Sequence, residues 1–467
     1  MMTFRTLVAL MLAAALLLSA SRSHSSPLAS CSNVGFSPGN YTITGTTHNV
    51  TSSDTIADVN ALSVRPGDAV LFEAGTTWNI RSENNRLKTK AGVLYGRYGA
   101  GPNPVISATG VPFSINFRGI IEIDGVDDVT VDGIDVRGAA SDNFGIMARN
   151  ADNITVSRLT VSNLRGGGVV FITGTTNITV DKIEIFNVDG GPHEALTFDG
   201  TDGYVVSYVH SHNNGHAAIN NKGNAKNGEV FGSEFSQTSN DPVFYIERAE
   251  NLNVHDNWIH TATGASKPLL TLGIEDFGPQ STQYNRNNEI HNNVFEGTGQ
   301  FGVRMWIKDE VKTSTTRIQH NNHIHHNSII NVNNEDQSWW HGNQAIDLRP
   351  TPNPGDWSAN VIENNIIWDT KSADGIHFDK GTVAGFTVRN NLFQKGETGG
   401  SDLGTNAMFT DIAPFASLAR KNYTPAGAAL GAGSDGSDIG ANIDWSCGTG
   451  TRDRFLQPKP PTPDDSP

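Results

Sequence analysis

Asn153-Ile154-Thr155-Val156 and, one unit later, Asn177-Ile178-Thr179-Val180 are near copies of one another. Each leads through a polar corner into a second short stretch, Leu159-Thr160-Val161 and Ile183-Glu184-Ile185. Each is preceded by a third, Gly145-Ile146-Met147-Ala148 and Gly168-Val169-Val170-Phe171. Alternation with a period of two marks strands with one buried face. Working outward, the leading stretch recurs as Ala195-Leu196-Thr197-Phe198, Ala218-Ile219-Asn220, Val243-Phe244-Tyr245-Ile246 and Leu269-Leu270-Thr271-Leu272. Gly302-Val303-Arg304-Met305, Ala345-Ile346-Asp347-Leu348 and Gly375-Ile376-His377-Phe378 continue it. From Gly145 to Leu269 the spacing stays at roughly two dozen residues and then stretches, so later units carry inserted loops. The corner before the last strand of later units reads Asp256-Asn257, Asn292-Asn293, His326-Asn327, Asn364-Asn365 and Asn390-Asn391. Asn tolerates the left-handed backbone of a sharp corner, and stacked Asn side chains can hydrogen-bond between layers. No amphipathic segments of ~10–15 residues separate the strands, which argues against βαβ units.

Three short strands per turn, stacked in register, make an all-β solenoid, a single-stranded parallel β-helix. The pattern resembles the right-handed β-helix of the pectate-lyase-like superfamily over roughly residues 55–445. Thr55 to Leu62 reads as a short helix capping the first coil, and Val64 to Phe72 as the first strand after it. Gly433 to Ala441 resembles the closing segment of such proteins. Ends need covering because an open sheet edge recruits other chains.

Outside this block, Arg5 precedes an unbroken apolar run from Leu7 to Leu18, too short to span a bilayer but suited to a secretory signal peptide over residues 1–20. Residues 21–54 read as a lead-in, and residues 446–467, rich in Pro and Asp, as a disordered tail. No second such run follows, so the expectation is an exported monomer, secreted or periplasmic, with no membrane span. Leu28-Ala29-Ser30-Cys31 resembles a lipoprotein cleavage box, the alternative anchoring. Cys31 and Cys447 lie near opposite ends, too distant to pair in an elongated solenoid. The 467 residues include 49 Gly and 46 Asn, and 33 Lys+Arg against 48 Asp+Glu give a net charge of −15. That balance excludes the basic footprint of a nucleic-acid binder. It also repels a polyanion at long range, unless a locally basic groove (Arg304, Arg349, Lys267, Lys308) offsets it.

In a β-helix, residues alternate between the coil interior and its outer face, and outward ones stack about 4.8 Å apart. Aligned leading strands give one outward column of Met147, Val170, Thr197, Asn220, Tyr245, Thr271, Arg304, Asp347 and His377. The next column holds Arg149, Ile172, Asp199, Lys222, Glu247, Gly273, Trp306, Arg349 and Asp379. A turn column before the strands carries Asn143, His193, His216, Asp241 and Lys267. The mid-helix patch of Asp199, Lys222 and Glu247, with His193 and His216 beside it and Tyr245 and Arg304 close by, is the candidate site. Read as structure alone, it is an acid–base–acid ladder pairing charges between coils. Trp306, Trp339 and Trp340 offer flat surfaces for sugar rings.

The resemblance implies action on a polysaccharide, with uronate β-elimination as the leading reaction. That reaction needs a neutraliser of the carboxylate, a base for the C5 proton and an acid for the leaving oxygen. The catalytic candidates are His193, Lys222, His216 and Arg304. Tyr245, Trp306, Arg349 and Asp347 are the substrate-binding candidates, and Asp199 and Glu247 the ligands for Ca2+. Gly191-Pro192-His193-Glu194 resembles a motif of alginate C5-epimerases in which the His is catalytic, which nominates His193 and keeps epimerisation open. A glycoside hydrolase also remains open, because Asp199 and Glu247 lie about 9.6 Å apart by strand spacing, near an inverting carboxylate pair. Asp347 and Asp379 are a second such pair, and a non-catalytic glycan binder is the last alternative. His320, His323, His325 and His326 form the densest imidazole run, read as polar corners or as transition-metal ligands.

Overall fold

The computed structural model describes residues 41–445 apart from 110–117, 139–143, 173, 190–192, 238–240, 262–266, 276–281, 298–300, 308–315, 333–343, 350–355, 371–374, 379–383 and 397–402. The expected signal peptide, Cys31, Cys447 and the tail lie outside those residues, as do Asn143, Gly191, Pro192, Lys308, Trp339, Trp340 and Asp379.

The strands wind as a parallel β-helix. One coil runs Phe144–Arg149, Asp152–Ser157 and Thr160–Leu164, and each strand pairs in parallel with its counterpart a coil later, Gly167–Phe171, Thr176–Asp181 and Glu184–Val188. The first two strands of every coil join one 26-stranded sheet, and the third strands stack into a 13-stranded sheet. Right-handed winding is the hand favoured for such strand–crossover–strand connections. Inward residues such as Ile146, Phe171, Phe198, Phe244, Leu272, Met305 and Leu348 form one continuous buried core. The sheet begins ahead of the cap, with Thr47–Val50 paired to Ala69–Glu73. The cap is the helix Ile56–Ala61, started by a capping box in which Thr55 Oγ1 accepts from the Asp58 N–H and Asp58 accepts from the Thr55 N–H. Ile56 and Val59 are its buried face.

Corners divide two jobs between neighbouring residues. The first residue of each pair is left-handed: Asp256, Asn292, His326, Asn364 and Asn390 have φ of 51–57°. Earlier coils put Arg158, Lys182 and Tyr208 at the same corner, so the geometry of the coil, not Asn alone, imposes that conformation. The second residues, Asn257, Asn293, Asn327, Asn365 and Asn391, are fully buried. Each of the first four donates from its side-chain amide to the next carboxamide oxygen at 3.0–3.1 Å, and the same oxygen accepts from the donor residue's backbone N–H.

Gly433 to Ala441 was expected at the closing end. It runs instead back along the flank of the thinner sheet. Gly440 N–H donates to the Asn364 carbonyl, and the Ala441 and Asn442 N–H groups donate to Ser328 Oγ and Asn292 Oδ1, three successive coils. Ile439, Ala441, Ile443 and Trp445 form a second buried cluster with Val294, Ile330, Ile366 and Leu392. The reason is physical: the outward face there is apolar and needs a cover.

Candidate active site

The paired strands reproduce the two outward columns. Met147, Val170, Thr197, Asn220, Tyr245, Thr271, Arg304, Asp347 and His377 are successive register partners. So are Asp199, Lys222, Glu247, Gly273, Trp306 and Arg349. The register follows from the inward apolar alternation, since a one-residue slip would turn the core outward.

The pairing within the patch differs from the ladder expected. Lys222 Nζ bonds neither Asp199 nor Glu247. It donates to both oxygens of Glu194, each at 3.1 Å. Asn220 Nδ2 and Thr197 Oγ1 also donate to Glu194, at 2.9 Å each. A Lys side chain reaches past its column neighbours to the preceding turn, where one carboxylate already has two neutral donors. Burial pushes the Glu194 carboxyl up, but Lys222 and the Asn220 hydrogen bond outweigh it and hold it below the usual range.

His193 is buried beside this ion pair, its ring packed at 5.7 Å on Phe144. Phe144, Met147 and Val170 make a small apolar cluster outside the main core. Desolvation first, and then the Lys222 cation, push the imidazole down to about 4. Glu247 is 3 % exposed and moves the opposite way. Desolvation raises its carboxyl to about 8, although Arg248 lies 3.2 Å away and Lys222 also opposes the rise. His193 and Glu247 both feel Lys222 and Glu194, so the four belong to one electrostatic unit.

Farther along, Tyr245 donates its hydroxyl to Glu275 at 2.6 Å, and burial and Glu275 raise its pKa well above the usual value. A Cβ at Gly273 would stand 2.7 Å from both the Tyr245 hydroxyl and Trp306 Nε1, so only glycine fits between them. The Arg304 guanidinium lies 4.8 Å from the Trp306 ring centroid. Asp347, expected among the substrate contacts, is fully buried and instead holds Arg304 at 3.3 Å and Arg349 at 2.7 Å. Its role is to place two guanidinium groups. His216 is more exposed and pairs with Asp241 at 2.6 Å.

The Ca2+ expectation fails on its donors. A hard cation needs several charged or carbonyl oxygens converging on one point. Asp199 and Glu247 stand two coils apart in one column with Lys222 between them, so their oxygens do not come from one strand or one turn. The cations of the patch each meet a carboxylate: Lys222 meets Glu194, Arg248 meets Glu247, and Arg304 and Arg349 share Asp347. Among the described residues the set that fits a metal lies elsewhere, at Glu184, His210 and His212.

Glu194, Arg248 and Glu275 were not singled out from the sequence. Glu194 sits in the turn before a leading strand, where the alignment is loosest. Its signal was its place next to His193. Of the imidazole run only His326 is a corner: it is left-handed and bonds Ser437 Oγ, whereas His320, His323 and His325 lie in strands, and His255, His291 and His325 stack at 5.0 Å from ring to ring in successive coils.

No protein-family model matches the sequence, and none of the curated proteins is similar to it. Solved structures are. A mutant of the PL6 family alginate lyase AlyGC matches with a TM-score of 0.52 at 11 % identity, covering 90 % of this chain. The chain spans 60 % of that enzyme's length. The A-module of the mannuronan C-5 epimerase AlgE6 of Azotobacter vinelandii gives 0.52 at 13 % identity, over 73 % of this chain and 89 % of the module. The chain shares their fold. At these identities the likeness carries the fold and not the reaction.

Proposed function

We propose that this protein is a polysaccharide lyase that cleaves a uronate-containing glycan by β-elimination. The observation that carries the reading is one buried cluster, in which Lys222 bonds Glu194, His193 adjoins Glu194 in the chain and Glu247 is the register partner of Lys222; desolvation there pushes the imidazole down to about 4 and the carboxyl up to about 8. Between those values His193 is unprotonated and Glu247 is protonated, so a base and an acid coexist at neutral pH. In this assignment His193 accepts the C5 proton and Glu247 protonates the departing glycosidic oxygen. Lys222 and Arg304 offset the uronate carboxylate, and Trp306 offers its face to a sugar ring. The resemblance to the alginate lyase and the epimerase supports a glycan of acidic sugars.

An inverting hydrolase is the second reading, because Asp199 and Glu247 stand two coils apart in one column, with Lys222 bonded to Glu194 rather than to either of them. The test is a panel of pectate, alginate and glycosaminoglycans followed by the ultraviolet absorbance of an unsaturated product. Rising absorbance, slowed by about 10²–10⁴-fold in His193→Gln and Glu247→Gln, is expected. Reducing ends without absorbance would mean a hydrolase, changed composition without shortening an epimerase, and glycan retention with no product a binder.

A further inference from the structure

On the thinner sheet a second cluster is built from residues the proposed lyase site does not use. Glu184, His210 and Glu234 are register partners on the third strands of consecutive coils. His212 shares the outward face of the His210 strand, and His260 that of the strand after Glu234. The flank segment that covers this sheet farther along reaches Trp258 through Trp445, at 5.8 Å, one coil past Glu234.

We propose that Glu184, His210 and His212 bind a divalent transition metal of the zinc class. Three observations converge on it. First, a single oxygen, Glu184 Oε1, lies 3.2 Å from His212 Nε2 and 3.7 Å from His210 Nδ1. Bonds of about 2.0–2.1 Å at tetrahedral angles set ligand atoms about 3.4 Å apart, so these separations suit one ion between the three atoms. Second, the His210 and His212 rings stack at 4.0 Å. The stacking brings a nitrogen of each ring to the same Glu184 oxygen, so the three side chains converge on one point. Third, an outer layer exists. His210 Nε2 faces Glu234 at 3.7 Å, and the same Glu234 oxygen holds His260 Nε2 at 3.0 Å. Carboxylates behind ligating imidazoles orient the rings toward a metal.

The donor chemistry selects the ion. Two imidazoles and one carboxylate favour Zn2+, Ni2+ or Cu2+ over Ca2+, which prefers an all-oxygen shell. Three protein ligands leave a fourth position on the side of His212, whose side chain is 19 % exposed. The imidazoles of the His323–His325 strand differ. His323 Nε2 has Glu363 at 3.0 Å and His325 Nε2 has Glu289 at 3.7 Å, each its own carboxylate.

The experiment is calorimetric titration of the chelator-stripped full chain with ZnCl2, repeated with CaCl2, with circular dichroism confirming that each variant folds. Cobalt substitution reads the coordination number by visible absorbance. One zinc per chain is expected, with no heat from calcium and the intense visible bands of tetrahedral cobalt. Glu184→Gln and His212→Gln should each weaken zinc by about 100-fold or more, and Glu234→Gln by about 10–100-fold. His325→Gln should leave it unchanged. Absence of zinc binding to the folded wild type, or binding that survives in both Glu184→Gln and His212→Gln, overturns the proposal. These readouts need no glycan, so they are independent of the proposed lyase reaction.

Discussion

Two rows of polar side chains run along this solenoid, and they solve burial in opposite ways. The row Asn257, Asn293, Asn327, Asn365 and Asn391 repeats one neutral group, and along it each carboxamide meets its neighbours above and below. The strip His193, Glu194, Lys222 and Glu247 collects an imidazole, an ammonium and two carboxyls, with the His193 and Glu247 groups pushed well away from their ordinary range. The first arrangement is what a repeat does when stability alone is at stake. The second costs stability, because a buried carboxyl and a buried imidazole lose hydration without full recompense. A stacked fold makes such an exception visible against its own regularity.

Breaking the neutral row should give the largest effect. Asn327→Leu leaves the Asn293 N–H and side-chain amide without their shared acceptor, and the Ile290 carbonyl without its donor. A loss of about 3–5 kcal/mol is expected from chemical denaturation. Glycan cleavage per folded molecule should be unchanged.

Breaking the charged strip should reverse that balance. Lys222→Met strands the Glu194 carboxylate, yet the pair is partly open to water, so about 1–3 kcal/mol is expected. Turnover should fall by about 10²–10⁴-fold. If His193→Gln retains full activity while Lys222→Met is inert, proton abstraction belongs to Lys222 and the assignment of the base must change.

The strip should also show in the pH dependence of stability. The Glu247 carboxyl is raised in the folded state, so the folded chain holds a proton that the unfolded chain has released. Its contribution is present below the ordinary carboxyl range and is lost as pH rises toward about 8. Glu247→Gln should flatten that decline and stabilise the protein above it. His193 acts in the opposite sense: its lowered value costs stability as pH falls from the ordinary imidazole range toward about 4. The smallest effect is expected of Thr197→Val, which removes one of the three donors to the Glu194 carboxylate, at about 1 kcal/mol and a modest loss of turnover.

The coil register was legible in the sequence because it obeys one rule repeated many times. Leu196, Phe198, Ile219, Phe244 and Ile246 must face in, and that alone places Thr197, Asn220 and Tyr245 outward in line. The Asn corners were legible for the same reason. What escaped were contacts that leave the repeat. Glu194 reaches Lys222 from a turn whose length varies between coils. Asp347 sits in the outward column yet is buried beneath two arginines, and a column position says nothing of what covers it. The imidazole pair His210 and His212 is spaced for one face, but only the coil register brings Glu184 beside it. The flank segment ending at Trp445 was readable as a closing element, though not as one that doubles back across several coils.

The most direct test of the central claim is the pH–rate profile of glycan cleavage by the wild type, His193→Gln and Glu247→Gln. The account predicts an ultraviolet-absorbing product and a bell whose limbs fall near 4 and 8, with the residual activity of Glu247→Gln lacking the alkaline limb and that of His193→Gln the acid one. A bell with both limbs intact in the two variants, or cleavage without the unsaturated product, would contradict it.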